Sequence, residues 1–94
     1  MEESVVELAS IPVRNRLARL LVSLMDRYSI SEEGNGTVMT PPMTWRDMSE
    51  LLCTRPETLT RTLNAMESDG IFHHKGHTIT INDLQRLRHE TRPH

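Results

Sequence analysis

Glu57, Thr60 and Arg61, spaced three and four apart, are the side chains in this sequence best suited to reading a partner: a carboxylate, a hydroxyl and a guanidinium fork. On a helix, positions i, i+3 and i+4 share one face, so the three would form a single polar row. A guanidinium in such a row can donate two hydrogen bonds to O6 and N7 of guanine, and a carboxylate can accept one from N4 of cytosine. That is the chemistry of base reading in the major groove of a DNA duplex. The same spacing also permits a plainer arrangement, a surface ion pair between Glu57 and Arg61 worth ~0.3–0.5 kcal/mol. Arg55, Thr44 and Lys75 are candidates for contacts to phosphate oxygens, which position a protein without reading sequence. Thr44 would serve as a helix cap with or without DNA, and a lysine at a bend is commonly just solvated.

The stretch from Met43 to Gly70 must position this row, and it reads as two short helices joined by a tight turn. Thr44 followed by Asp47 gives a start resembling a capping box, and Met48, Leu51 and Leu52 then recur at helical spacing. The turn falls at Cys53 to Arg55. Pro56 presets φ for a first helical turn, and Glu57 puts negative charge where the helix dipole favours it. Leu59, Leu63 and Met66 form one apolar stripe, whereas Glu57, Thr60, Arg61 and Asn64 fall on another face. Gly70 supplies the left-handed cap that ends the helix. The result is a helix-turn-helix whose second helix, about 56–69, presents the row.

The rest of the chain supplies the frame. Residues 1–10 are acidic (Glu2, Glu3, Glu7), with Val5, Val6 and Leu8 reading as the end of a helix that needs a partner. In VRNRLARLLVSLMDRY, the residues Leu17, Leu20, Leu21, Leu24 and Tyr28 make a helical stripe, with Arg14, Arg16, Arg19 and Arg27 largely off it. Ser29 to Gly36 has loop composition, and Thr37 to Thr40 is a short strand stopped by Pro41 and Pro42. Ile71 and Phe72 pair as a hairpin with Thr78 to Ile81 across a bend at Lys75 and Gly76. Asn82 or Asp83 caps a last short helix with Leu84 and Leu87 inward and Arg86, Arg88 and His89 outward. The tail TRPH reads as frayed. The fold class is therefore mostly α with a small antiparallel β-hairpin wing, a winged helix-turn-helix over 11–94 preceded by the acidic segment 1–10.

Composition narrows the function. With 94 residues the chain is one domain, and an aromatic content of 3% against six Met predicts a core of Leu, Ile, Val and Met, softer than one anchored by rings. A single Cys fits a reducing cytosol, no apolar run approaches the ~20 residues of a membrane span, and no signal peptide is read, which places the protein in the cytoplasm. The formal charge of −2 argues mildly against nucleic acid. Its distribution softens that objection, because Thr54 to Thr80 carries Arg55, Arg61, Lys75 and three histidines against Glu57, Glu67 and Asp69. His73, His74 and His77 with Cys53 invite a zinc reading. Adjacent His73 and His74 should face opposite sides of a strand, however, and no paired Cys spacing exists, so no metal is expected. Protonation of these histidines near pH 6–7 would add positive charge beside a bound duplex. Cys53 could serve as a nucleophile or redox switch, but a lone Cys beside apolar Leu51 and Leu52 reads as packing. Without a Gly-rich phosphate loop, an HExxH or a nucleophile elbow, catalysis is not expected, nor is a cofactor.

In order and spacing, PVRNRLARLL, MTWRDMSELLCTRPETLTRTLNAMESDGI and HHKGHTITI resemble the C-terminal DNA-binding domain of the Crp/Fnr transcription regulators, from Ile11 to about Leu84. The most specific part is PETLTR, matching the family pattern of Glu, two residues, then Ser, Thr or Gly and Arg. The resemblance implies binding of double-stranded DNA at a half-site containing TGA, repeated as a palindrome for a homodimer, with contacts to the transcription machinery. Two positions depart from the pattern. Cys53 stands where the family usually has Gly, and Pro56 replaces a further base-reading Arg of catabolite-activator-like members, which implies specificity closer to the fumarate/nitrate-type branch. The family's N-terminal effector-binding barrel and dimerisation helix would precede this sequence, which reads as an excised domain or a short protein. A reading of another class is a winged-helix protein-interaction or dimerisation module, in which the Arg-rich first helix and acidic N-terminus contact a partner chain.

Overall fold

The computed structural model describes residues 12–28, 31–33 and 36–92. Their elements run α1 (Val13–Tyr28), β1 (Ser31–Glu33), β2 (Gly36–Met39), α2 (Trp45–Leu51), α3 (Pro56–Ser68), β3 (Phe72–Lys75), β4 (Thr78–Ile81) and α4 (Leu84–Glu90). The acidic segment 1–10, with the helix end expected at Val5, Val6 and Leu8, lies outside the described residues, as does the side chain of Tyr28.

The apolar periodicities resolve into one core. Leu17, Leu21 and Leu24 of α1 are buried against Leu59, Leu63 and Met66 of α3, Phe72, Ile79 and Ile81 of the sheet, and Leu87 of α4. Met25, Met39, Met48 and Met66 are all core residues, and Phe72 is the only aromatic ring fully enclosed among the described residues. Thioethers thus fill much of the space that rings would otherwise occupy.

The four strands form one antiparallel sheet in the order β1-β2-β4-β3. The expected hairpin, β3 with β4, is half of it, and Met39 opposite Ile79 joins it to the second hairpin. The loop reading of Ser29 to Gly36 is corrected, since Ser31, Glu32 and Glu33 pair with Val38, Thr37 and Gly36. A three-residue polar strand has no apolar alternation to betray it. Its order comes from the backbone groups of β2, which its neighbour β4 leaves free on the outer side.

The first helix does more than bury leucines. The Nδ2 of buried Asn15 donates to the carbonyls of Glu90 and Arg92, at 2.8 and 2.9 Å, and Arg19 Nε donates to Thr91 O at 3.2 Å. These bonds satisfy carbonyls at the C-terminus of α4, so Thr91 and Arg92 are held rather than frayed. Pro93 and His94 lie outside the described residues.

Candidate nucleic-acid interface

The helix-turn-helix is built from local bonds that the sequence dictates. Thr44 is the N-cap of α2: its hydroxyl accepts from Asp47 N at 3.0 Å, while the Asp47 carboxylate accepts from Thr44 N at 3.4 Å. Met48 and Leu52 pack inward, but Leu51, expected beside them, is 61% exposed. Successive helical residues lie about 100° apart, so a short helix that buries Leu52 turns Leu51 away.

Cys53 then adopts the left-handed conformation, φ +55. Its N–H donates to Glu50 O at 3.0 Å and that of Thr54 to Ser49 O at 2.9 Å, the paired bonds of a Schellman cap. Arg16, reaching from α1, donates through Nη1 to the Leu52 carbonyl at 2.6 Å. The turn is thus pinned from both sides. Cys53 is exposed, which corrects its reading as a packing residue, because the left-handed cap carries its side chain out of the core.

Arg55 is the extended N-cap of α3 and Pro56 its first residue. Leu59, Leu63 and Met66 are buried, while Glu57, Thr60, Arg61 and Asn64 are exposed along the opposite side. The helix ends in a second Schellman cap, with Gly70 at φ +82 and bonds from Gly70 N to Glu67 O and Ile71 N to Met66 O. Among the described residues the ion pairs are Arg14 with Asp69 and Glu90, and His73 and His74 with Glu67. Glu57 and Arg61 are in none of them.

The β3–β4 turn is a two-residue loop, Gly76 and His77, with positive φ at Gly76 alone, the pattern of a II′ hairpin. Lys75 stands exposed at its start. Trp45, the first residue of α2, donates its indole N–H to Gly76 O at 2.8 Å and meets the rings of His77 and His74 edge-on, with centroids 5.4 and 6.2 Å away. His77 Nε2 donates to Pro41 O at 2.7 Å. The bend therefore sits against the start of α2, which brings the neighbourhoods of Lys75 and Thr44 together. Sequence reasoning passed over Trp45; the available signal was a lone Trp just inside the cap of a short helix in a chain nearly devoid of rings.

His73 and His74 alternate along β3 as expected, His73 exposed and His74 half-buried beside Phe72, yet one carboxylate meets both. Glu67, in the last turn of α3, has Oε2 2.6 Å from His73 Nδ1 and Oε1 2.6 Å from His74 Nδ1. Because β3 is the sheet's edge strand, a carboxylate beside its open edge can be approached from both faces. Burial raises the Glu67 pKa, but the His73 hydrogen bond and the nearby charge of both histidines outweigh it, and the carboxyl ends below its usual range. No group of three His, Cys, Asp or Glu among the described residues is arranged to hold a metal ion.

Residues 15–90 match the model of the Crp-like helix-turn-helix domain family. The chain belongs to that family. It is a domain of the kind found in DNA-binding transcription regulators of the Crp/Fnr group. Solved structures similar to this Crp-like domain include the CO-dependent transcription factor CooA from Carboxydothermus hydrogenoformans, 24% identical with a TM-score of 0.76 over 84% of this chain and 36% of that one. FixK2 from Bradyrhizobium japonicum is 25% identical, TM-score 0.75, over 88% and 40%. TTHA1359, a CRP/FNR-family transcriptional regulator from Thermus thermophilus, is 23% identical, TM-score 0.77, over 93% and 44%. The chain thus spans less than half the length of each. No curated protein matches it in sequence. None of its described helices is long and apolar enough to cross a membrane.

The ion pairs also bear on the net charge of −2. Of the acidic residues between Thr54 and Thr80, Glu67 is engaged by the two histidines and Asp69 by Arg14. Arg55, Arg61 and Lys75 of the Crp-like domain are exposed and in no ion pair among the described residues. The exposed side of α3 and the wing is thus more positive toward a partner than the formal sum suggests.

Proposed function

We propose that this Crp-like domain binds double-stranded DNA sequence-specifically, as the DNA-binding part of a Crp/Fnr-like transcription regulator, with α3 in the major groove of a half-site containing TGA. The observation that carries this reading is the exposed row Glu57, Thr60, Arg61, which is in no ion pair among the described residues and lies on a helix that Pro56 starts and a Schellman cap ends. Leaving such groups unpaired within the molecule keeps their hydrogen-bonding capacity for base edges. Arg61 donates to guanine, Glu57 accepts from cytosine, and Thr60 closes the row. Arg55, Thr44 and Lys75 hold phosphates. Pro56 has no donor to offer a base, so the extra arginine contact of catabolite-activator-like members is missing. Two copies as a homodimer would read the two halves of a palindrome, and surfaces away from the duplex would meet the transcription machinery.

Fluorescence anisotropy of a palindromic TGA duplex and a scrambled duplex at two salt concentrations tests the reading, with wild type beside Arg61→Ala. Selective, salt-sensitive binding that loses its selectivity in the variant is expected. Equal loss on both duplexes would reduce Arg61 to a phosphate contact. Absence of binding beyond the non-specific range of about 10⁻⁴ to 10⁻⁶ M would return the domain to protein interaction.

A further inference from the structure

The wing turn carries a device for which base reading has no use. Its lysine sits on an edge hairpin whose only sheet neighbour is β2, and a two-residue bend on such a hairpin would ordinarily be free to swing. Here the bend is tied twice to the helix-turn-helix side of the molecule, by Trp45 Nε1–H to Gly76 O at 2.8 Å and by His77 Nε2–H to Pro41 O at 2.7 Å. The two rings also pack edge-on, with centroids 5.4 Å apart. Trp45 follows Thr44 directly and Gly76 follows Lys75 directly. One indole hydrogen bond therefore joins the immediate neighbours of two exposed groups, Thr44 at the N-cap of α2 and Lys75 on the wing.

We propose that Trp45 is a positioning residue for DNA binding: it clamps the β3–β4 turn to the start of α2, so that Lys75 and Thr44 meet the phosphate backbone as a preformed pair. The inference rests on the DNA-binding reading above. Its physical content is preorganisation. A turn already fixed in place loses little freedom when its lysine engages a phosphate, whereas a released turn must be ordered during binding. The chain's only Trp is thus placed at the rim of the core, where its N–H can reach a turn carbonyl while its ring packs against the core.

The test is a double-mutant cycle on the full chain. Trp45→Phe keeps an aromatic ring and removes the N–H; Lys75→Ala removes the charge. Both variants and the double variant are titrated with the palindromic duplex across a salt series, and thermal melts are recorded alongside. Lys75→Ala should flatten the dependence of log affinity on log salt by about one. Trp45→Phe should weaken binding about 2- to 10-fold, the range set by one lost hydrogen bond, and should flatten the slope as well. The double variant should then be little weaker than Lys75→Ala alone. His77→Ala, which releases the second tie, should act in the same direction. Wild-type affinity and slope in Trp45→Phe, or losses that simply add in the double variant, would overturn the clamp. An unchanged slope in Lys75→Ala would also overturn it, yet would leave base reading by α3 standing if Arg61→Ala still abolishes selectivity. If wild type binds no duplex, both readings fall together.

Discussion

Arg14 on α1 grips Glu90 on α4 through two parallel hydrogen bonds, Nε to Oε1 at 2.9 Å and Nη2 to Oε2 at 3.1 Å. The same Nη2 reaches Asp69 Oδ2 at 2.6 Å, at the C-cap of α3. One guanidinium therefore ties the first helix to the last and to the end of the helix that presents Glu57, Thr60 and Arg61. Arg14→Ala should destabilise the domain by about 1–2 kcal/mol, the scale of charge-assisted bonds discounted for partial exposure. For a domain of this size each kcal/mol corresponds to about 4–8 °C in Tm. Arg14→Lys should recover only part of the loss, because an ammonium cannot reproduce the fork. A thermal melt of the two variants checks both expectations.

The same pair sets an acid limit. The Arg14 hydrogen bonds hold the Glu90 carboxyl below its usual range, outweighing the burial that pushes it up. A carboxylate whose pKa is depressed on folding stabilises the native state fully above its unfolded value, near 4.3, and the contribution disappears as pH falls through the lower folded value. Wild type should therefore lose stability as pH drops from about 5 toward 3, and Glu90→Gln should be less stable at neutral pH with a shallower fall. Urea unfolding across this range distinguishes the cases. An equal deficit for Glu90→Gln at neutral pH and at pH 3 would mean that the carboxylate is not the linked group.

Much of the frame was legible because it follows from local rules. The stripes of α1 and α3, the Thr44–Asp47 box, Pro56 as first helical residue and Gly70 as left-handed cap need only periodicity and capping chemistry, and each stands where expected. What escaped the sequence depends on distant partners. The strand at Ser31–Glu33 takes its order from β2, and Leu51 is exposed through the phase of a seven-residue helix. Glu67 gathers two adjacent histidines because β3 happens to be an edge. The roles of Arg14, Asn15 and Trp45 lie in bonds to residues 31 to 77 positions away, for which spacing offers no signal. The exposure of Glu57, Thr60, Arg61, Arg55 and Lys75 was readable, since polar residues off an apolar stripe face water.

Cys53 occupies a glycine's place. With φ at +55 it takes the left-handed conformation that strains residues bearing a Cβ by about 1–2 kcal/mol, while glycine's extra freedom in the unfolded chain returns roughly half of that. Cys53→Gly should therefore stabilise the domain by about 0.5–1 kcal/mol and leave the bonds from residues 53 and 54 to Glu50 and Ser49 intact. Cys53→Val should destabilise it, since β-branching crowds this conformation further. Chemical denaturation of the two variants, at unchanged m-value, reads the difference.

Glu57 allows the base-reading proposal to be tested by altered preference as well as by loss. As a carboxylate it can only accept, which suits the N4 amino group of cytosine; as Gln it would both donate and accept, the pattern that pairs with N6 and N7 of adenine. Glu57→Gln should lose about 1–3 kcal/mol of discrimination at one base pair of the half-site and move that position toward adenine, leaving the others as they were. Competition against a panel of duplexes, each changed at one base pair, measures this directly. The fold should not be affected, because Glu57 is exposed and in no ion pair among the described residues; the only structural loss is a favourable charge in the first helical turn, about 0.3–1 kcal/mol. If the variant instead weakens or strengthens every duplex equally, Glu57 acts through its charge near the phosphates and reads no base.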